Sequence, residues 1–316
     1  MIDNNVIVAN FNVTYGKEEA PMLEYFEDIL LPAFKSGIKR ERKNNNTSIG
    51  DQYYFLNVRV VNSGEDDYVL TGQFVRETEL EVKSLVIDNQ LVKTDDTYPS
   101  APYSVFYIFL KNHRMVLIKN QKGSPNIKSF GLTASRVLNQ YVRSVNRSFT
   151  EENKKALPIP IVNVVGIPMR EDIEELLKSV VRINRLVLRF YPLNGDLNLT
   201  PVTEAITKDM RIPAGANTGN ITLNTCKNKD GVVDIIDGLQ GVMEPSLDVD
   251  FEYSKGIKIK NNELSEKTTW SLDEDDINNP EIVLPKAKEI KSLVVTSQDN
   301  LNIFLKFKEI IKKYIL

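Results

Sequence analysis

Cysteine and histidine each occur once in the 316 residues. A lone Cys226 cannot close an internal disulfide, and its setting in Asn220-Ile221-Thr222-Leu223-Asn224-Thr225-Cys226 reads as a strand position. A lone His113 excludes a Cys/His zinc site and an HExxH helix, and lends no support to a Ser-His-Asp triad. The glycines never assemble into GxGxxG or a Walker-type loop, so no nucleotide-binding motif is present. No apolar run approaches the roughly 18 residues of a membrane span, and Met1-Ile2-Asp3-Asn4-Asn5 lacks the basic and apolar regions of an export signal. The expectation is a cytoplasmic protein, with no catalytic residue, metal or cofactor assigned.

One further absence concerns charge. Between Thr97 and Thr150 there is no Asp or Glu, while Lys111, Arg114, Lys119, Lys122, Lys128, Arg136, Arg143 and Arg147 all fall there. The net charge of −3 therefore hides a polarity, and phosphate binding depends on a local positive field rather than on the total. The balancing acid comes late, at Asp230, Asp234 and Asp237, at Asp248, Asp250 and Glu252, and at Asp273-Glu274-Asp275-Asp276.

Apolar residues at 41% and charged residues at 26% are those of a folded globular protein, and the length suits two domains. Alternation predicts a strand over Val6–Tyr15, and the spacing of Met22, Tyr25, Phe26, Ile29 and Leu30 predicts a helix over Glu18–Phe34. A basic, Asn-rich loop over Lys35–Asn46 follows, then strands Tyr53–Val61, Tyr68–Val75 and Glu79–Val92, with turn signals at Asn62-Ser63-Gly64 and Asp88-Asn89. Tyr103–Leu110 and Met115–Ile118 form an apolar hairpin covered on both faces. Leu132–Phe149 is the clearest helix: Ala134, Val137, Leu138, Tyr141, Val142 and Val145 share one face, with Arg136, Gln140, Arg143 and Arg147 opposite.

The polar stretch from Thr150, ending in Pro158-Ile159-Pro160, marks a boundary. The fold class is α+β: residues 1–157 an antiparallel sheet with packed helices, residues 158–316 a second α+β domain with a mixed sheet. In the latter, strands Ile161–Ile167, Arg185–Tyr191, Ile221–Cys226 and Leu247–Tyr253 alternate with helices Arg170–Val180, Pro201–Met210 and Gly231–Met243. Gly256–Glu281 reads as a mobile acidic excursion, before a strand Ser292–Thr296 and a helix Leu301–Tyr314.

The candidate binding residues are the cations. Ordinary helix surfaces mix signs through i,i+4 pairs, whereas the row Arg136, Arg143, Arg147 has no acidic partner on its own helix or in the preceding hairpin. Phosphate oxygens or an acidic protein surface would supply one. Lys111, His113, Arg114, Lys119 and Lys122 extend this basic stretch, and Lys35, Lys39, Arg40, Arg42 and Lys43 form a second cluster. Solvated charge is the plainer reading of each. Glu81-Val82-Lys83, with Asp66 or Asp67 upstream, has the acid…Glu-x-Lys order of a Mg²⁺-dependent nuclease, although any exposed strand yields Glu-x-Lys by chance. Asp230, Asp234 and Asp237 suit a helix start, and Asp248, Asp250 and Glu252 suit one wet strand face.

Tyr103–Lys119, containing SVFYIFLKNHRMVLIK, and Ile183–Asn194, INRLVLRFYPLN, resemble a family of uncharacterised bacterial proteins of phage-defence islands. The layout of residues 1–200 is also similar to RexA-type phage exclusion proteins. The resemblance implies a non-enzymatic defence component that binds nucleic acid, DNA favoured, without sequence readout. Other readings are a module that meets an acidic partner, either a protein of the same operon or a second copy in a homodimer, and the nuclease using Asp67, Glu81 and Lys83.

Overall fold

A computed structural model describes residues 2–43, 50–64, 67–149, 156–193, 205–265 and 268–315. Strand β1 (Ile2–Tyr15) is the hub. Its odd positions Ile7, Ala9, Phe11 and Val13 enter one core and its even positions Val6 and Val8 another, so the sheet is covered on both faces. After the short β2 (Ala20–Pro21), Met22–Tyr25 forms a 3₁₀ turn and Phe26–Leu30 a π turn before α1 (Leu31–Lys35). The single helix expected over Glu18–Phe34 is thus split, because Pro32 has no N–H to return to the Asp28 carbonyl.

Strands β3 (Arg40–Arg42), β4 (Asp51–Asn62), β5 (Tyr68–Ile87), β6 (Gln90–Ser100), β7 (Tyr103–Phe109) and β8 (Arg114–Lys119) continue the sheet. Helix α2 (Ile127–Phe149) lies on its first face through Phe130, Ala134, Val137, Leu138 and Val142. β9 (Pro160–Gly166) returns to pair with Ala9–Tyr15 of β1. The chain then leaves to build a second layer from α3 (Arg170–Ser179), β10 (Val180–Phe190), β11 (Gly219–Cys226), α4 (Lys229–Leu239), β12 (Glu244–Phe251), β13 (Ser254–Ile259) and α5 (Asn261–Leu264). It rejoins β1 as β14 (Thr268–Leu272), pairing with Ile2–Val6. Helices α6 (Glu274–Ile277), α7 (Pro280–Lys288) and α8 (Lys291–Val294) cover the second face of the first sheet, and α9 (Gln298–Lys312) closes the first.

The first sheet runs β14-β1-β8-β7-β5-β4-β3, with β2 and β9 on β1 and β6 on β5, every pair antiparallel. It takes β9 and β14 from beyond the boundary expected at residue 157, so that boundary does not divide the sheets. The second sheet runs β11-β10-β12-β13 and is antiparallel, not mixed as expected. The reason is that β11 and β12 run in the same direction across α4 but are held apart by β10 between them. The class remains α+β.

Where the second layer meets β1, the even positions turn polar, as Asn10, Asn12 and Thr14. Asn10 donates to the Gly241 carbonyl at 3.3 Å, Asn12 to Pro192, and Tyr191 OH to Gly241 at 3.4 Å. At the stem of this layer the Asn261 amide clasps Gly166, accepting from its N–H and donating to its carbonyl, both at 2.8 Å. The stretch expected to be a mobile excursion carries β13, α5, β14 and α6. The strand expected over Ser292–Thr296 is instead the turn α8 followed by an extended Val295; the Leu293 and Val295 carbonyls accept from Asn112 at 2.7 and 3.1 Å. Asn44–Asn46, Asp66, the polar stretch 150–155 and the start of the helix expected at Pro201 lie outside the described residues.

Candidate nucleic-acid interface

The amphipathic pattern of α2 settles which way its arginines point. With Phe130, Ala134 and Val137 in the core, Arg136, Arg143 and Arg147 are exposed along a groove of about 580 Å³ that also contains Leu132, Asn139, Gln140 and Ser144. Asn146 fixes the far half of the helix, donating to the Leu157 carbonyl at 2.9 Å and accepting from Leu157 N–H at 2.7 Å. Asn139, two turns earlier, donates to Pro160 O at 3.4 Å.

A second cleft, of about 440 Å³, opens between the first half of α2, β9 and the outer face of the second sheet. It holds Lys128, Arg189 and Lys260, with Asn163, Asn220 and Asn262 as amide donors. Glu244 is the sole carboxylate in that lining among the described residues, and it lies cross-strand from Arg189. Leu132 and Ser135 line both spaces, so the two adjoin along α2 and together make up a trough. From Lys128 to Arg147 it follows α2 for about 29 Å at 1.5 Å per residue. The outer sheet face is available because Leu186, Leu188 and Phe190 of β10 turn the other way, onto α3 and α4. No protein-family model matches the chain, and no curated protein matches it.

The remaining expected residues divide. Lys122, in the loop before α2, is exposed, as are Lys35, Arg42 and Lys43. Arg40 stacks over the Tyr53 ring at 4.2 Å and donates from Nε to Thr133 Oγ1 at 2.9 Å, which brings β3 against α2. Burial lowers its pKa from the usual guanidinium value. Lys39 is bound to Glu77 at 2.7 Å, and that hydrogen bond raises its pKa.

His113 and Arg114 are corrections. His113 is 0% exposed, at φ 58° in a tight turn, and its carbonyl accepts from Phe11 N–H at 2.8 Å. Arg114 is 2% exposed and donates from Nη1 to the Gln240 carbonyl, joining the two layers. Neither can reach a ligand in solvent. Lys111 shares their hairpin tip, at the opposite end of β8 from the loop leading into α2, roughly 17 Å along the strand. The basic hairpin and the arginine helix therefore do not make one face; Lys119 is half-buried at the near end of β8.

The nuclease constellation is also corrected. Asp67 immediately precedes β5 and Glu81 lies far along that strand, on the order of 40 Å away at ~3.3 Å per residue. Asp67 is paired with Lys288 at 3.3 Å, while Lys83 is 3.8 Å from Glu81. The three cannot share a metal ion. The later acids serve the fold: Asp234 and Asp237 bind Arg170 at 2.8 and 3.6 Å, and Asp250 accepts from Asn184 and Gly256 N–H at 3.0 and 2.8 Å. Those bonds, the one from Gly256 foremost, lower the Asp250 pKa.

Sequence reasoning found the arginine row but missed Arg189 and Lys260. Arg189 lies on β10 and Lys260 between β13 and α5, far in sequence from α2, and only the docking of the second sheet beside α2 brings them to the trough.

Proposed function

We propose that this chain binds nucleic acid along the α2 trough by contacts to phosphate, without reading base sequence. The observation that carries the reading is the run of Arg136, Arg143, Arg147, Lys128, Arg189 and Lys260 along two adjoining depressions, with Glu244 as the acid in their lining. Guanidinium and ammonium groups on a rigid helix and sheet suit a polyanion whose charges repeat along its length. A trough of about 29 Å matches roughly eight base pairs of duplex. The likeness of Tyr103–Lys119 and Ile183–Asn194 to phage-defence-island proteins supports a place in anti-phage defence, with DNA the favoured polymer.

The test is fluorescence anisotropy with a labelled random-sequence duplex over a salt series. Replacing Arg136, Arg143 and Arg147 together with Gln should weaken binding and flatten the slope of log K against log salt by about 2.7, at 0.9 per lost phosphate contact. Lys111→Gln should leave both unchanged. Absence of binding at low salt, or a triple variant that binds like the parent, overturns the proposal. Where binding holds, a plaque assay comparing parent and triple variant tests the defence role.

A further inference from the structure

Beyond Glu77, β5 leaves β4 behind and runs out with β6 as a two-stranded arm, turning at Asp88 and Asn89, whose φ values are 50° and 61°. Its length is about 33 Å. The arm carries cross-strand apolar pairs in open solvent: Leu80 with Tyr98, Leu85 with Val92, and Val86 with Leu91. Their exposures run from 42% at Val92 to 78% at Leu91. An isolated two-stranded ribbon is marginal in water, and an open strand edge with apolar neighbours is a template for another strand. Among the described residues no third strand lies beside β6.

We infer that β6 pairs edge to edge with β6 of a second copy, antiparallel about a two-fold axis between Thr94 and Asp95, giving a four-stranded sheet and a homodimer. The register follows from the sequence of the strand. In that alignment Lys93 faces Asp96 of the second copy, and Leu91 faces its Tyr98, with both relations repeated by symmetry.

The faces agree as well. Val82 pairs with Asp96 and Ser84 with Lys93, so the irregularity between them adds one residue to β6. That extra residue places Leu91, Lys93, Asp96 and Tyr98 on the same side of the ribbon. An apolar row then crosses the whole assembly, Leu80 and Tyr98 from one copy continuing into Leu91 and Val86 of the other.

The outer edge of β5 offers no such match. Its Lys83 lies 3.8 Å from Glu81 of its own strand, and β4 and Gln52 stand at its root. The two bodies in this dimer sit at opposite ends of the joined arms, and no residue of β6 lines the trough, so the inference does not depend on what the trough binds. It also differs from a basic face meeting an acidic face, because the contact here is made by the β6 edge of both copies.

The test is sedimentation equilibrium of the full chain. A mass twice that of one chain is expected, with self-association at least tenfold weaker in Leu91→Lys, in Lys93→Asp and in Asp96→Lys. All three positions are solvent-facing in the single chain, and unchanged far-UV circular dichroism would check that each variant is folded. The double variant Lys93→Asp with Asp96→Lys should restore the dimer, and mixing the two single charge variants should produce a mixed dimer. A chain that stays monomeric at its highest soluble concentration overturns the inference. So does a dimer indifferent to these changes, or one that the double variant fails to restore.

Discussion

Replacing Phe130 with Ala should cost the protein about 4 kcal/mol, and the reason is the place of this ring in the fold. It is 0% exposed and stands on α2 among Phe11, Phe55, Phe74 and Phe106, at centroid distances of 5.9, 5.3, 5.4 and 5.4 Å. Those rings come from β1, β4, β5 and β7, and each meets Phe130 edge to face, with interplanar angles of 80°, 65°, 83° and 64°. Burial of one such side chain contributes about 3 kcal/mol, and the cavity left among rings pinned by four strands adds to the loss because they cannot collapse into it. The strained alternative, Phe130→Leu, retains most of the volume and should cost about 1.5 kcal/mol.

Urea unfolding followed by circular dichroism reads this directly. With m about 3 kcal/mol/M, the midpoint should fall by about 1.3 M for Ala and by about 0.5 M for Leu. Leu132→Ala, two positions along on the 53% exposed side, should shift stability by less than about 0.5 kcal/mol. A Phe130→Ala loss under about 1 kcal/mol, or one matched by Leu132→Ala, would refute the view that this ring seats the helix on the sheet.

Gly166→Ala should destabilise by several kcal/mol, of order 3, because the added Cβ would stand 2.0 Å from Ser265 Oγ and 3.1 Å from Asn261 Oδ1, prising open the amide clasp; thermal melting at neutral pH checks it. Alkali should unfold the protein in a way tyrosine explains. Tyr15 and Tyr107 are buried, and burial raises both hydroxyls far above the usual value near 10. A raised folded pKa means that stability is fully present below about pH 10 and is lost above it, at about 1.4 kcal/mol per pH unit for each group. Urea midpoints measured from pH 8 to 11 should show this slope, and Tyr107→Phe should reduce it; an unchanged slope in that variant would count against the assignment.

Local pattern was legible in the sequence and long-range pairing was not. The 3.6-residue stripe of Ala134, Val137, Leu138 and Val142 fixed both the helix and the outward turn of its arginines, and Asp88-Asn89 marked a real hairpin turn. The unbroken run Val105–Leu110 correctly signalled a strand buried on both sides. Alternation carries no information about which edge a strand joins, so nothing in Ile161–Gly166 or Thr268–Leu272 announced that both would line β1. Charge misled at Arg114: a guanidinium in a basic hairpin reads as a surface group, and its partner, the Gln240 carbonyl, is 126 residues away. The helix expected to end at Met243 stops at Leu239 because Gln240 and Gly241 adopt positive φ, 46° and 76°, and at Gln240 that choice is not encoded by a glycine.

The course of β9 and β14 has a consequence for synthesis. They cover one edge of β1 end to end, and everything from Pro168 to Lys267 is made between them. Ile2–Val6 receive their partner on that edge only when Leu272 has been made, on the order of 15–50 s after them at 5–20 residues per second. Throughout that interval the edge of β1 that β14 will cover stands open to other strands, so the burden on chaperones should fall before Leu272 has been made.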